Sequence, residues 1–357
     1  MAPFRIVGIS FDHMHMGDLL RCVHDHPEAE IAGIFDPDRS TMQRAIDTFG
    51  IPEDRVFTDF DTCMKTAKPD LAILCAATAN HASYTRRLAA YGVHVFVEKP
   101  FAASVTDARA MIDAMPPGKT LAINWPLRWV ESHVTAKRLV DEGMIGEVIE
   151  IHSYGGNRGP LYHLADKIEV SREEVERQKP TSWWYKRASG GGSLLDYLGY
   201  GATLGTWYRN GEAPLEVTCV TDETPGIEVD QHSVTICRYA KGLSKMETRW
   251  GTFTDPWVIQ PQPKCGFVLV GTEGTIASWD YDDHVTVQTR ANPEPHPIPS
   301  DPLPPGGRNA IEYVLGCISR GEPLTGPLDP AVSLIGQRIV DTAAESARQK
   351  RTLPLVP

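Results

Sequence analysis

The chain has 357 residues, 41% hydrophobic and 23% charged, with 46 acidic against 35 basic side chains for a formal net charge of −11. That length suits about two domains, and the ordinary apolar content excludes extended disorder and a collagen-like fibre. No apolar run approaches the ~18 residues of a membrane-spanning helix. The acidic balance, without a Lys/Arg block, argues against nucleic acid or an anionic membrane as partner.

The opening MAPFRIVGIS has no signal-peptide pattern. The seven cysteines are scattered, with no CxxC pair, which fits reduced thiols in a cytoplasm and not a zinc ribbon or disulfide framework.

In chain order, 4–9 (FRIVGI) reads as a strand, and 17–24 as the middle of a helix. The run 31–35 reads as a second strand followed by a helix over 40–49; 71–76 is a third, followed by a helix over 82–91. The run 93–97 is a fourth strand, then come a helix over 105–115 and the apolar run 121–124. Continuous apolar strands alternating with helices predict an α/β domain, a doubly wound parallel sheet of the Rossmann type over 1–125.

Beyond Asn124 the texture changes. A helix over 132–142 precedes alternating strands at 147–154, 215–221, 233–239, 244–252, 265–270, 275–279 and 285–289. These predict an α+β domain over 126–357, with a large open, mostly antiparallel sheet and a helix-rich insertion at 160–210. The Pro-rich 292–305 reads as a surface loop before helices at 309–319 and 331–350, the last expected to pack back toward the Rossmann domain.

The first strand runs into Gly8-Ile9-Ser10-Phe11-Asp12-His13, where a dinucleotide-binding turn usually shows three small residues. Gly8 permits a tight turn, and the helix beyond offers N–H groups to a pyrophosphate. Ser10 reduces the closeness of approach, and an ordinary strand–helix turn is the competing reading. Asp36, just past the second strand, suits the ribose hydroxyls and would repel a 2′-phosphate; an Asp-Pro turn is the alternative. Asp36 therefore favours NAD over NADP, a preference that Arg39 softens.

The third strand ends in Cys75-Ala-Ala-Thr78-Ala-Asn80-His81 and the fourth in Glu98-Lys99-Pro100. Strand ends at the carboxyl edge of an open α/β sheet are ligand-binding positions. With Gly143-Met-Ile-Gly146 and Gly190-Gly-Gly-Ser-Leu-Leu-Asp196 following in order, the chain resembles the glucose–fructose oxidoreductase / inositol dehydrogenase / rhizopine-catabolism (Gfo/Idh/MocA) family over almost its whole length.

The resemblance implies a nicotinamide cofactor held by Gly8, Ser10, Phe11, Asp12, His13, Asp36, Thr78, Asn80, His81, Glu98, Lys99, Asn124 and Trp125. It implies catalytic roles for Lys99, Asp196 and Tyr200. The last stands where the family commonly has His, and Tyr also occurs there in the glucose–fructose oxidoreductase branch. Asp196 and Tyr200, four apart, share one helix face. A phenol with an ordinary pKa of about 10 is a poor base at neutral pH unless a cation such as Lys99 lowers it; packing near Tyr197 and Tyr208 is the competing role for Tyr200.

Aromatic and cationic residues at 181–187, among them Trp183 and Lys186, suit a sugar ring, with Arg128, Arg158 and His163 able to join that wall. A helix end packed by aromatics would look the same. Asp12-His13-Met14-His15 invites a metal reading, but two His two positions apart suit one helical face poorly and no third ligand lies nearby, so no metal is expected.

The reading is a dehydrogenase acting on a secondary hydroxyl of a sugar, sugar derivative or cyclitol. The first alternative is an NAD-dependent glycoside hydrolase working by transient oxidation, elimination, water addition and re-reduction. A non-catalytic sugar sensor is the second, weakened by Lys99 and Asp196. The open sheet face predicts a homodimer or homotetramer.

Overall fold

The structure is a computed structural model that describes residues 3–222 and 224–357. Contacts divide the chain into two compact units. The first comprises Met1–Asn124, Leu161–Trp183 and Gly306–Pro330; the second comprises Trp125–Pro160, Trp184–Pro305 and Ala331–Pro357. Two segments beyond 125 thus group with the first unit.

The first unit runs β1 (Phe4–Ile9), α1 (His15–His24), β2 (Ala29–Phe35), α2 (Arg39–Phe49), β3 (Val56–Phe57), α3 (Phe60–Ala67), β4 (Leu71–Leu74), α4 (His81–Ala90), β5 (His94–Val97), α5 (Val105–Ala114) and β6 (Leu121–Ile123). Its strands form one parallel sheet in the order β3-β2-β1-β4-β5-β6. Residues 71–74 of β4 are all buried, as a central strand covered on both faces requires. Asp38 and Asp59 start α2 and α3 by accepting the backbone N–H groups of Ser40 and Thr62. The order reverses between β1 and β4, so the loops after these strands part at the carboxyl edge, where dinucleotides bind in such sheets.

The chain continues with α6 (Glu131–Asp141), β7 (Val148–Asn157), α7 (Arg172–Gln178), α8 (Ser193–Tyr208), β8 (Glu216–Thr221), β9 (His232–Arg238), β10 (Leu243–Trp250), β11 (Gly266–Gly271), β12 (Gly274–Trp279), β13 (His284–Thr289), β14 (His296–Pro299), α9 (Ala310–Arg320), α10 (Pro330–Gln349) and β15 (Leu353–Pro354). Here α7 and α9 belong to the first unit. The second sheet has the order β14-β13-β12-β11-β7-β10-β9-β8-β15, antiparallel except for the β7–β10 pair. Part of the Pro-rich stretch expected to be a loop forms edge strand β14, a position that tolerates proline.

Burial alternates along β8, β9 and β10, so one face meets the core. Leu198 and Ala202 of α8 and Ile339, Val340 and Ala343 of α10 pack there with Val217, Cys219 and Met246. The final helix thus closes the second unit's own core. On the opposite face, Val220 and Ile236 stand exposed. Beside them lie the ion pairs Arg238–Glu216 and His232–Glu247. The face is mixed, not one large apolar patch.

A close approach fixes α8. A Cβ on Gly199 would lie 2.5 Å from Trp125 Cη2, and that indole is tied by its N–H to Ser333 Oγ at 2.8 Å. Gly199→Ala is expected to destabilise the chain by about 1–3 kcal/mol through overpacking, read as a lower urea midpoint at an unchanged slope.

Candidate functional site

The turn after β1 keeps glycine geometry without the glycine. Ser10, at the second small position of the fingerprint, has φ 63°, in the left-handed region that glycine enters without steric cost. Its hydroxyl donates to Asp12 Oδ2 at 3.1 Å, and the same oxygen accepts the Ala77 N–H at 2.8 Å. Asp12 thus braces the β1 loop against the β4 loop. Its backbone carbonyl also accepts the Trp183 indole N–H at 3.0 Å.

Gly8 fits the turn for a second reason: a Cβ there would stand 2.9 Å from Met16 Sδ. Asp36 is 5% exposed at the end of β2 and accepts N–H groups from Phe11 at 2.8 Å and Asp38 at 2.9 Å. Burial nevertheless raises its pKa from the ordinary value. A carboxylate has about four acceptor sites, so the two backbone N–H groups and Thr41 leave room for a ribose hydroxyl. Left-handed Ser10, the Met16 approach and this carboxylate together fit a dinucleotide.

At the carboxyl end of β5, Glu98 is fully buried. Asn124 Nδ2, at the end of β6, donates to Glu98 Oε2 at 2.7 Å; Glu98 Oε1 lies 2.8 Å from His15 Nδ1 and 3.9 Å from His13 Nε2. The His13 and His15 rings are 4.4 Å apart. Burial holds His13 well below its ordinary pKa, with His15 and Lys99 adding to the effect. For His15, burial is outweighed by the Glu98 charge and hydrogen bond, so its pKa rises.

Lys99, the next residue, is 4% exposed. Thr78 is buried in the turn after β4, while Asn80 is exposed. His81 is fully buried, with its ring nitrogens 3.1 Å from Phe101 O and 2.9 Å from Ala76 O. Burial lowers its pKa, and a neutral ring donates from one nitrogen only, so His81 ties its helix start to one of these two carbonyls. His163, also in the first unit, pairs with Glu169 in an isolated bridge.

In the second unit, Asp196 and Tyr200 lie on α8, 4% and 8% exposed. Trp250, at the end of β10, donates its indole N–H to Asp196 Oδ2 at 2.9 Å. Trp125 meets Tyr200 edge-on at 5.5 Å between centroids. Trp125 is buried, bonded to Ser333 and packed against Tyr200.

The glycine triplet is a required geometry. Gly192 has φ 111°, and a Cβ there would lie 2.7 Å from Asp230 Oδ1. Asp230 accepts the Ser193 hydroxyl and the Leu194 N–H, both at 2.7 Å, and so caps α8 from outside the helix.

The residues expected to form a sugar wall have varied local settings. Trp184 and Tyr185 turn inward against Trp250, and Lys186 is half-buried. Arg158 Nε donates to fully buried Asp255 at 2.7 Å. Arg128 stacks over Trp129 and Trp207. The roles of Asp230 and Trp250 carry no sequence signal, because each lies far along the chain from the helix it serves.

A switch-point crevice shaped for a dinucleotide, followed by a mostly antiparallel sheet, defines a two-part NAD-binding oxidoreductase fold. Residues 4–121 match the family model described as an oxidoreductase family with an NAD-binding Rossmann fold, and residues 133–277 match the GFO/IDH/MocA C-terminal domain. The chain belongs to the Gfo/Idh/MocA oxidoreductase family.

It is 26% identical over 200 residues to the 2,7-anhydro-N-acetylneuraminate hydratase of Mediterraneibacter gnavus, covering 55% of this chain and 46% of that protein. It is 26% identical over 170 residues to the inositol 2-dehydrogenase of Salmonella typhimurium, covering 46% and 49%. The chain thus spans about half the length of the curated relatives it matches. Among solved structures, the aldose–aldose oxidoreductase of Caulobacter crescentus in complex with glycerol has a TM-score of 0.79 at 21% identity, covering 99% of this chain and 100% of that one. Levoglucosan dehydrogenase in complex with NADH and levoglucosan also has a TM-score of 0.79, at 16% identity, covering 99% and 100%. These likenesses establish the fold.

Asp230→Ala removes the external cap and leaves the Leu194 N–H without its acceptor. It is expected to cost about 1–3 kcal/mol, measured as loss of unfolding free energy in urea.

Proposed function

We propose that the chain oxidises or reduces a secondary hydroxyl of a sugar, sugar derivative or cyclitol with NAD, using Lys99, Asp196 and Tyr200 as one catalytic unit. The observation that carries the reading is the buried Lys99, which follows a fixed buried carboxylate at the carboxyl end of a Rossmann strand. NAD, when bound, accepts or returns the hydride. The chain's own task is to move the hydroxyl proton and to orient the carbinol carbon.

Lys99 supplies a cation that favours an alkoxide or a phenolate. Asp196, held by Trp250, orients the substrate, and Tyr200, braced by Trp125, passes the proton. Arg128, His163, Trp183 and Lys186 extend the substrate wall. Arg158 orders the loop bearing Asp255.

Redox-neutral hydrolysis, by transient oxidation, elimination, water addition and re-reduction, is the second reading; the hydratase among the relatives favours it. Aglycone release without accumulation of reduced cofactor identifies it, whereas net NADH formation identifies a dehydrogenase. We also propose a cytoplasmic setting and self-association through the mixed sheet face around Val220 and Ile236. A monomeric mass by light scattering at micromolar concentration contradicts the oligomer.

Lys99→Ala and Tyr200→Phe are each expected to lower turnover roughly 10²–10⁴-fold, and the double variant little further, because the groups act as a unit. Near-normal turnover in Tyr200→Phe assigns that residue to packing alone. NAD is expected to bind more tightly than NADP, since the Asp36 carboxylate repels a 2′-phosphate. Titration calorimetry with both cofactors checks this, and a tighter NADP affinity overturns it.

A further inference from the structure

We propose that His13, His15 and Glu98 form a binding site for one divalent transition-metal ion, zinc above all. Three donor atoms, one from each side chain, lie within 4.8 Å of one another. The sequence expectation of no metal rested on the lack of a third ligand near the two His. The fold supplies it from the end of β5, 83 positions beyond His15.

The donor chemistry selects the ion. Two imidazoles with one carboxylate suit zinc and its neighbours in the first transition row, whereas magnesium and calcium take oxygen ligands. Three protein donors leave a coordination position for water, the arrangement of an open site and not of a structural four-ligand one.

The distances are close to what coordination needs. Two donors at about 2.1 Å from a tetrahedral zinc stand roughly 3.4 Å apart. His15 Nδ1 and Glu98 Oε1 are 2.8 Å apart, and His13 Nε2 and Glu98 Oε1 are 3.9 Å apart, so the observed separations bracket that value. Loading draws the three donors, all within 4.8 Å of one another, onto one ion by side-chain rotation.

The surroundings already orient the carboxylate. Asn124 Nδ2 holds Glu98 Oε2 at 2.7 Å and thereby turns Oε1 toward both rings, the kind of outer partner that metal-bound carboxylates keep. Glu98 and His13 are 0% and 2% exposed, while the His15 side chain is 21% exposed and gives the ion a route in.

Loading exchanges protons for the metal. The proton shared between His15 Nδ1 and Glu98 Oε1 leaves to water. At His13, the Nδ1 atom accepts the His15 backbone N–H at 3.1 Å, so the neutral ring carries its proton on Nε2. Coordination through Nε2 moves that proton to Nδ1 and breaks this one hydrogen bond, which the new coordinate bonds outweigh.

The donors exclude Lys99, Asp196 and Tyr200, but His13 and Glu98 also belong to the expected cofactor set, so metal binding is read on its own. It can be tested without substrate or NAD. The full chain, stripped with chelator, is titrated with zinc chloride by calorimetry, and in parallel with cobalt(II), whose visible absorption reports donor type and geometry.

The expected result is one ion per chain, with a cobalt spectrum of nitrogen and oxygen donors and no thiolate band. His15→Ala, at a partly exposed position, and the shape-conserving Glu98→Gln should each weaken zinc binding roughly 100-fold or more, above the ~10–100-fold typical for an outer-shell partner. Circular dichroism identifies the folded variants, and the loss in either folded variant supports the site. No binding to the wild-type chain, a thiolate spectrum, or unchanged affinity in a folded variant overturns it.

Discussion

The fully buried carboxylate of Glu98 is the constraint on which the first unit's edge depends. A desolvated charge is tolerated only when its partners are in place, and removing one partner of a buried pair typically costs about 3–5 kcal/mol. Here the partners come from two other elements, His15 at the start of α1 and Asn124 at the end of β6. Satisfying one side chain therefore fixes the ends of three elements relative to each other. The peptide that follows, with Lys99 next in line, inherits that position.

The second unit uses a different device. Its helix α8 is held by aromatic edges, an external carboxylate cap and glycines where other residues approach within 3 Å of an added Cβ. Asp196 and Tyr200 are positioned by Trp250 and Trp125, two indoles that the helix itself does not supply. The unit also contains an arrangement that mimics nucleophilic catalysis: His133 lies 2.7 Å from Ser278 Oγ and 2.8 Å from Asp280 Oδ1. All three are nearly or wholly buried, with Tyr208 and Phe267 around them. Buried in this way, the cluster bonds α6 to the end of β12 and the residue that follows it.

Much of this was legible in the sequence, for physical reasons that vary with the element. Continuous apolar runs mark β1, β2, β4 and β5 because both faces are covered. Alternation marks β8 to β10 because only one face is. The two-residue β3 and the short α3 lie below the length at which periodicity speaks.

Ser10 obscured the dinucleotide turn, since the sequence shows the residue and not its left-handed backbone. His81 sits between the Phe101 and Ala76 carbonyls, and the Trp125 indole bonds Ser333. Orientation of that kind has no signature in spacing. Neither does the return of 161–183 to the first unit, stitched by pairs such as Arg21–Asp166, while the buried stripe of α9 marks a helix but not the unit it joins.

The central claim is that the crevice beside Lys99 holds the reactive end of NAD. A crystal structure of the full chain with NAD tests it most directly. The account predicts the pyrophosphate over the turn at residues 10–13, ribose hydroxyls on Asp36 and the nicotinamide ring beside Lys99. A dinucleotide bound away from that turn, or a nicotinamide out of reach of Lys99, would contradict it.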